Sequence, residues 1–235
     1  MVSLHRFPVK SMLGEDLAGL DLDARGVVGD RAWSVRTPDN KIGSGKTTRR
    51  FAAVPGLLQL RASYDGDCVR VRLPDGDELA VDDAGTARRL SAYLSRPVTL
   101  AHETDVSHFD DGPVSLVATA SVDAVGAEAG HAIDPARFRA NVLLEGLPAF
   151  GEEALVGQRV RVGSALLEVT MRSPRCVMID MESADLPAEH GNLLATGRAN
   201  GACIGVIARV VEPGRISRGD AVVTASSASE PVAQK

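Results

Sequence analysis

Short apolar segments separated by turn residues run along most of the chain, and this pattern predicts a protein built mainly from strands. The clearest case is residues 68–73, where apolar and polar positions alternate. An Asp-Gly pair stands on each side, Asp65-Gly66 and Asp75-Gly76, which is a strong hairpin signal. The alternation places Val69 and its apolar partners on a buried face and Cys68 on the opposite, polar face.

Helices are predicted to be few and short. Apolar spacing indicates one helix over residues 86–94 and a second over 121–128 that Ser121 would cap. Further short strands are predicted at residues 4–9, 27–36, 113–118, 141–144, 159–162, 165–169, 203–211 and 221–223. This order indicates a mainly β (α+β) barrel or sandwich with accessory helices, and it argues against a doubly wound sheet.

Arg96-Pro97 follows the first predicted helix and suggests a soft domain boundary. The expected organisation is a β-rich N-terminal module over residues 1–96 and a second domain over 97–225. The small polar residues 226–235 predict a disordered tail.

Composition narrows the classes of partner. The net charge of −5 provides no overall basic field for nucleic acid or an anionic membrane, and 3% aromatic residues argue against base stacking. Three cysteines without close pairing do not resemble a disulfide framework. No signal peptide or bilayer-spanning apolar run is visible, so the expected location is the cytoplasm.

Cys176 is the leading candidate for chemistry. It follows a predicted strand and Pro174, and because proline donates no ladder hydrogen bond, the strand should end there. The thiol would then lie in a loop between Arg172 and Arg175, and nearby positive charge favours the nucleophilic, metal-binding thiolate. The alternative is a small buried apolar residue, which is the usual role of a free cysteine.

Cationic side chains suggest a local anion pocket in this acidic protein. Lys10 and Ser11 end the first predicted strand, and Arg31 follows a Gly-Asp turn. Arg137 and Arg139 stand two residues apart, so they would point the same way on an extended chain. Guanidinium groups suit phosphate and carboxylate, although each of these side chains taken singly is more often a surface charge.

Two other patterns are weaker. The segment Gly43–Thr48 resembles a phosphate-binding loop, but Asn40 replaces the first required glycine and no strand–helix context is evident, so a flexible loop is favoured. His102, His108, Asp110 and Asp111 cluster in one polar stretch, but their spacing matches no zinc pattern and favours a loop.

Four segments in order carry a resemblance to the MOSC domain proteins: Phe7-Pro8-Val9-Lys10-Ser11, Gly29-Asp30-Arg31-Ala32-Trp33, Arg137-Phe138-Arg139-Ala140-Asn141 and Ser173-Pro174-Arg175-Cys176. The resemblance covers about residues 2–224. It implies a MOSC-type β-barrel with an N-terminal β-rich module whose first strands join the barrel. It also implies the molybdenum cofactor, molybdenum held by the dithiolene of a pterin.

By this resemblance Cys176 would be the protein thiolate on molybdenum. The resemblance implies a cofactor-binding set made of Lys10, Ser11, Arg31, Arg137, Arg139, Asn141, Ser173 and Arg175. Asp180 is a hypothetical proton donor or substrate contact. The run from Val177 to Ser183 departs from the Thr-rich and Asp-Pro residues of relatives, which leaves substrate choice open.

The leading hypothesis is a molybdenum-dependent oxidoreductase that reduces N-hydroxylated or related N–O and S–O small molecules. No redox domain is recognised in these residues, so electrons are expected to come from a separate donor protein. One alternative is a carrier of persulfide sulfur or of the cofactor, without turnover. Another is a MOSC scaffold reused without cofactor.

Overall fold

The computed structural model describes residues 1–225, and the tail predicted at 226–235 lies outside this part of the chain. Strands dominate the described residues, which confirms the mainly β prediction. The strands are β1 Ser3–Arg6, β2 Glu15–Leu17, β3 Gly19–Asp23, β4 Gly26–Val27, β5 Trp33–Arg36, β6 Ile42–Ser44, β7 Phe51–Ala53, β8 Arg61–Asp65, β9 Cys68–Arg72, β10 Glu78–Ala80, β11 Thr99–His102, β12 Val114–Ala118, β13 Val142–Leu144, β14 Arg159–Val162, β15 Ala165–Pro174, β16 Cys203–Glu212, β17 Gly214–Ser217 and β18 Val222–Thr224. The α-helices are α1 Thr86–Tyr93, α2 Thr119–Ala129 and α3 Asn192–Asn200. Short 3₁₀ turns cover Leu57–Gln59, Pro135–Phe138, Gly151–Leu155 and Val177–Asp180.

The largest sheet has eight strands and curls into a half-barrel, with the order β18-β14-β15-β16-β12-β13-β1-β2. Its neighbours are antiparallel except for β12 and β13, which run parallel. Apolar side chains from β12, β14, β15 and β16 fill its interior, joined by residues of β1 and β3 such as Leu4 and Leu20. Burial of this apolar surface is the main stabilising contribution to the barrel.

Strand β15 is an inner strand of this sheet, and the candidate cysteine follows its C-terminal end. It ends at Pro174, as the missing proline donor predicts, and Cys176 follows two residues later. Its register against β16 shifts three times, the last between Arg172 and Pro174. Such irregularities bend a strand and change where its side chains point.

The N-terminal residues form two smaller sheets, with the orders β11-β5-β6-β7 and β10-β9-β8. The alternation predicted for residues 68–73 is confirmed: Val69, Val71 and Leu73 are buried, whereas Cys68 is partly exposed. Helix α1 packs its Leu90 into the same core.

The first strands also pair with strands from the later part of the chain: β1 joins the larger sheet, whereas β3 lies between β4 and β17 in a separate three-stranded sheet. Leu4 of β1 pairs with Val142 of β13, and Leu20 of β3 pairs with Ile216 of β17. The predicted division at residue 97 remains a prediction, because these pairs connect both sides of it.

Two local predictions were wrong, and one helix was missed. The strand predicted at 27–36 splits into β4 and β5 around the turn that carries Arg31. Ser121 lies inside α2, where its hydroxyl donates to Glu152 and accepts from the backbone of Phe150, so it does not cap the helix. Helix α3 was not predicted, because its apolar and polar residues follow no clear helical stripe. Among residues 1–225, no helix is both long and apolar enough to cross a membrane.

Candidate active site

A cavity of about 110 Å³ opens where the N-terminal sheets meet the end of β15. Six lysine and arginine side chains and two aspartates line it: Lys10, Arg31, Lys46, Arg137, Arg139, Arg175, Asp110 and Asp111. Its other walls include Ser11, Ser173 and Cys176. The structure therefore collects an excess of positive charge in one place, although the whole chain carries −5.

Lys10 is the most deeply buried cation of the cavity, with 2% of its surface exposed. Its ammonium donates to Asp110 Oδ2 over 2.5 Å and lies 4.8 Å from the centre of the Phe51 ring. Burial lowers the pKa of Lys10 to about 8, an effect that Arg31 and Arg139 reinforce and Asp110 partly offsets. Two of the three ammonium protons have no partner in the described part of the chain, so this group can still bind an anion.

Arg31 and Arg139 lie together against one aromatic ring. Their guanidinium carbons are 4.9 and 4.4 Å from the centre of the Phe7 ring. Arg31 pairs with the buried Asp30 and donates to the carbonyl of Arg139, and Arg139 donates to the carbonyl of Met12. Burial lowers the pKa of Arg139 to about 9, with a further contribution from Arg31, and the guanidinium still stays protonated at neutral pH.

Ser11 and Ser173 place two hydroxyls on the cavity wall. Each residue is only 3% exposed, and neither hydroxyl has a hydrogen-bond partner among residues 1–225. Ser11 has a φ of 64°, an uncommon left-handed conformation for a residue other than glycine. A polar ligand in the cavity would provide the missing partners.

Arg137 and Arg139 do not lie on an extended chain, so the basis of that prediction was wrong, although both side chains line the cavity. Residues Pro135–Phe138 form a 3₁₀ turn, and Arg139 has a left-handed φ of 51°. Arg137 donates to the carbonyls of Met181 and Pro187 and so clamps the segment that follows the cysteine. Its Nε lies 3.0 Å from Glu189 Oε2, but the N–H is not aligned for a hydrogen bond.

Arg175 serves the framework of the site. All of its terminal nitrogens donate to backbone carbonyls, those of Phe138 and Ile204. Burial lowers its pKa to about 10, which leaves the guanidinium charged at neutral pH. Its fixed charge stands beside Cys176, as the cationic flanks in the sequence indicated, and three of its five N–H groups are bonded to the backbone.

Cys176 is partly exposed and lines the cavity. It immediately precedes the 3₁₀ turn Val177–Asp180, and its carbonyl accepts from the amide of Ile179. The preceding amide of Arg175 is bonded to the carbonyl of Ala202. The thiol is therefore held between two bonded backbone segments, at the open side of a cationic cavity.

Lys46 and Asp110 belong to the site, although sequence reasoning did not select them. Strand β6 contains Gly43 and Ser44, and the bend after it carries Lys46 to within 3.1 Å of Asp110 Oδ1. No helix follows, so the geometry of a phosphate-binding loop is not present in this segment. Burial lowers the pKa of Lys46, but its charge interactions with Asp110 and Cys176 outweigh this effect and raise the pKa overall.

Asn141 does not line the cavity, contrary to what the resemblance implied. Its side-chain oxygen accepts from the amide and hydroxyl of Ser115, and its amide donates to the carbonyl of His5. The residue is only 1% exposed, and this network satisfies the polar atoms of its buried side chain. Asn141 joins β1, β12 and β13, and it supports the cavity through Ser115, which does line it.

Asp180 also points away from the cavity. Its Oδ1 accepts from the backbone N–H of Leu193 in the first turn of α3, and its carbonyl accepts from the amide of Glu189. A carboxylate at this position satisfies a free helix N–H and complements the helix dipole. The structure thus gives Asp180 a capping role and does not support its selection as a proton donor or substrate contact.

The polar stretch around His108 packs as a bonded loop. His108 is fully buried, and its Nδ1 lies 2.9 Å from the carbonyl of Arg31, whereas Nε2 lies 3.0 Å from an Arg36 nitrogen. Because Arg36 can only donate, Nε2 accepts and Nδ1 carries the proton. Burial lowers the pKa of His108 to about 4. Within the described residues, no three His, Cys, Asp or Glu side chains are grouped to hold a metal ion.

Comparison with protein families finds two adjoining matches. The MOSC N-terminal beta barrel domain matches residues 1–111, and the MOSC domain matches residues 103–223. Together they span nearly the whole chain. No protein of curated function matches the sequence.

One solved structure has a similar fold. The YuaD protein from Bacillus subtilis is 17% identical, with a TM-score of 0.52 over 94% of this chain and 91% of that one. YiiM from Geobacillus stearothermophilus is 21% identical, with a TM-score of 0.37 over 48% of this chain and 53% of that chain. At such identities the first likeness extends to the fold alone.

Proposed function

The chain belongs to the MOSC family, and from this premise we propose that it binds the molybdenum cofactor and reduces N-hydroxylated or related N–O and S–O small molecules. MOSC domains are associated with molybdenum cofactor binding. The observation that carries the proposal is the convergence of Cys176 with buried cationic and hydroxyl side chains on one cavity. Electrons would come from a separate donor protein.

The residues present fit the cofactor at both of its chemical ends. A pterin phosphate needs several hydrogen-bond donors and positive charge, and Lys10, Ser11 and Arg31 offer both on one wall. Cys176 offers a soft thiolate, which suits a metal already held by sulfur. A single thiolate leaves the other positions on the metal to ligands from the cofactor.

The remaining polar groups shape the site for reduction. When bound, the cofactor supplies the two-electron oxygen-transfer chemistry. Arg175 and Arg137 hold the cysteine segment in place through backbone carbonyls. Burial raises the pKa of Asp111, and the charge of Asp110 raises it further, so the Asp111 carboxyl holds a proton more readily than an ordinary aspartate. Asp111 therefore replaces Asp180 as the candidate proton source.

The test is molybdenum per chain, measured by elemental mass spectrometry on protein from a host that makes the cofactor. We expect near-stoichiometric metal in the parent and strongly reduced metal in Cys176→Ala. Cys203→Ala is the matched control, because Cys203 is also partly exposed but does not line the cavity. Absence of molybdenum and of pterin from the parent would refute the proposal and favour a scaffold reused without cofactor.

Turnover separates the reductase from a carrier. The chemically reduced, loaded protein is assayed with a panel of hydroxylamines and amidoximes. Deoxygenated product formed over many cycles supports the reductase. Stoichiometric metal without any turnover supports a carrier that delivers the cofactor or a persulfide on Cys176.

A further inference from the structure

The carboxylate of Asp110 joins two lysines that come from distant parts of the chain. Its Oδ2 accepts from Lys10 over 2.5 Å, and its Oδ1 lies 3.1 Å from Lys46 Nζ. Burial raises the pKa of Asp110, but the two ammonium groups lower it far more, so the carboxylate is ionised at neutral pH. Both of its oxygens are engaged with positive charge.

The two ammonium groups form an anion site over one aromatic ring. Lys10 and Lys46 lie 4.8 and 5.4 Å from the centre of the Phe51 ring. The Lys10 side chain is only 3% exposed, whereas the Lys46 side chain, which comes from a loop, is 28% exposed. Asp110 fills this anion site with a charge that belongs to the protein itself.

Within residues 1–225, only these two lysines bind the Asp110 side chain, whereas its loop is anchored by other contacts. His108 bonds the carbonyl of Arg31, and Arg50 donates to the carbonyls of Ser107 and Phe109. The Asp110 side chain keeps 36% of its surface exposed. Its carboxylate can therefore turn toward solvent without breaking the bonds that hold the loop.

We propose that Asp110 is a selectivity residue, an internal anion that occupies the Lys10–Lys46 site and must be displaced by an incoming anionic ligand. This inference rests on the proposed function only in that the cavity takes an anionic group. A small free oxyanion could contact only the two lysines. It would not displace Asp110, because the tethered carboxylate acts at a high effective concentration. A ligand that also binds Arg31, Arg139 and Cys176 has enough further contacts to displace Asp110.

The experiment compares binding of inorganic phosphate to the full chain, without cofactor, by calorimetry at low ionic strength. Asp110→Asn keeps the shape and removes the charge, and we expect it to bind phosphate about tenfold more tightly or better. Asp65→Asn is the control for net charge, because Asp65 pairs with Arg70 on the exposed surface and does not line the cavity. It should bind phosphate as the parent does.

Two further variants keep the test decisive. Asp110→Ser also removes the charge, and the same tightening is expected if the asparagine variant does not fold. Adding Lys46→Gln to Asp110→Asn should return the affinity to near the parent value. Unchanged or weaker phosphate binding in both Asp110 variants, or no phosphate binding in any protein, would overturn the inference.

Failure of this inference is distinguishable from failure of the proposed function. Parent protein that retains molybdenum, while the Asp110 variants bind phosphate no better, keeps the cofactor proposal and removes the selectivity role. Tighter phosphate binding in the variants, with no molybdenum in any cofactor-exposed protein, supports the internal anion and refutes the cofactor.

Discussion

Three residues of the cavity have left-handed backbones although none is glycine. Ser11, Arg31 and Arg139 have φ values of 64°, 51° and 51°. Such conformations cost free energy and persist where surrounding contacts determine them, which is often at functional sites. The carbonyl of Arg139, for example, accepts from the Arg31 side chain, and the carbonyl of Arg31 accepts from Nδ1 of His108. Residue chemistry and backbone geometry thus point to the same place.

The buried His108 makes stability depend on pH. Its pKa is lowered to about 4, first by burial and then by Arg36 and Lys10, whereas Glu103 and the carbonyl of Arg31 oppose this shift. In the unfolded chain it titrates near its ordinary value of about 6.5. Between these values the unfolded state binds more protons, so the free energy of unfolding falls as the pH is lowered through this window.

We therefore expect His108 to account for about 3 kcal/mol of stability lost between about pH 6.5 and pH 4. The measurement is urea unfolding of the parent and of His108→Gln over that range. The glutamine amide can still donate to the Arg31 carbonyl, but it does not titrate. The parent should lose more stability than the variant on acidification, and parallel curves for the two proteins would contradict the assignment.

At the level of elements, one short turn places Arg137 and Arg139 on the cavity. Asp134 accepts from the amide of Ala136, and Pro135 follows it at the first position of the 3₁₀ turn. An aspartate cap followed by proline is a recognised start signal in sequence. That signal could have shown that residues 137 and 139 do not follow an extended chain, the one case in which a separation of two residues aligns side chains.

Two glycines inside helices should respond to alanine in opposite directions. An alanine Cβ at Gly197 in α3 meets no atom within 4 Å, whereas one at Gly126 in α2 would lie 2.8 Å from the carbonyl oxygen of His131. Gly197→Ala is expected to stabilise the protein by about 0.5–1 kcal/mol, the difference in helix propensity. Gly126→Ala should be destabilising, because the contact is with backbone. Chemical denaturation of both variants checks this, and a shift of both in one direction would be inconsistent with the helix packing described.

Strand pairs join the first part of the chain, residues 1–96, to the second part, residues 97–225. Strand β1 pairs with β13 in the half-barrel sheet, and β3 pairs with β17 in a separate three-stranded sheet. Leu4, Leu20 and Leu22 are buried in the barrel core. The cavity is also shared, since Lys10 and Lys46 come from the first part and Cys176 from the second.

A fragment of residues 97–235 is accordingly expected not to fold on its own. It would leave the edge of β13 unpaired and would lose several buried leucines, each contributing about 1.5–3 kcal/mol. Circular dichroism and denaturant titration should show no cooperative transition. Co-expression with residues 1–96 is the control and should restore one. Independent cooperative folding of the fragment would support a clean division at residue 97.

The sequence by itself determined the elements that depend on neighbouring residues. Alternation over residues 68–73, the end of β15 at Pro174 and the scarcity of helices follow from local patterns, and the structure confirms them. Four ordered motifs also led to the MOSC family, which the two family matches confirm. Local periodicity and turn chemistry are carried by adjacent residues, so they can be interpreted without a fold.

Only the tertiary structure decided which side chains meet. Asn141 bonds to residues of neighbouring strands, and Asp180 accepts from the backbone at the start of a helix. Lys46 and Asp110, 64 residues apart in sequence, form an ion pair in the cavity. Burial and long-range charge determine these roles, because they set which donors remain unsatisfied and which carboxylates stay ionised. Neither quantity is written in the spacing of residues along the chain.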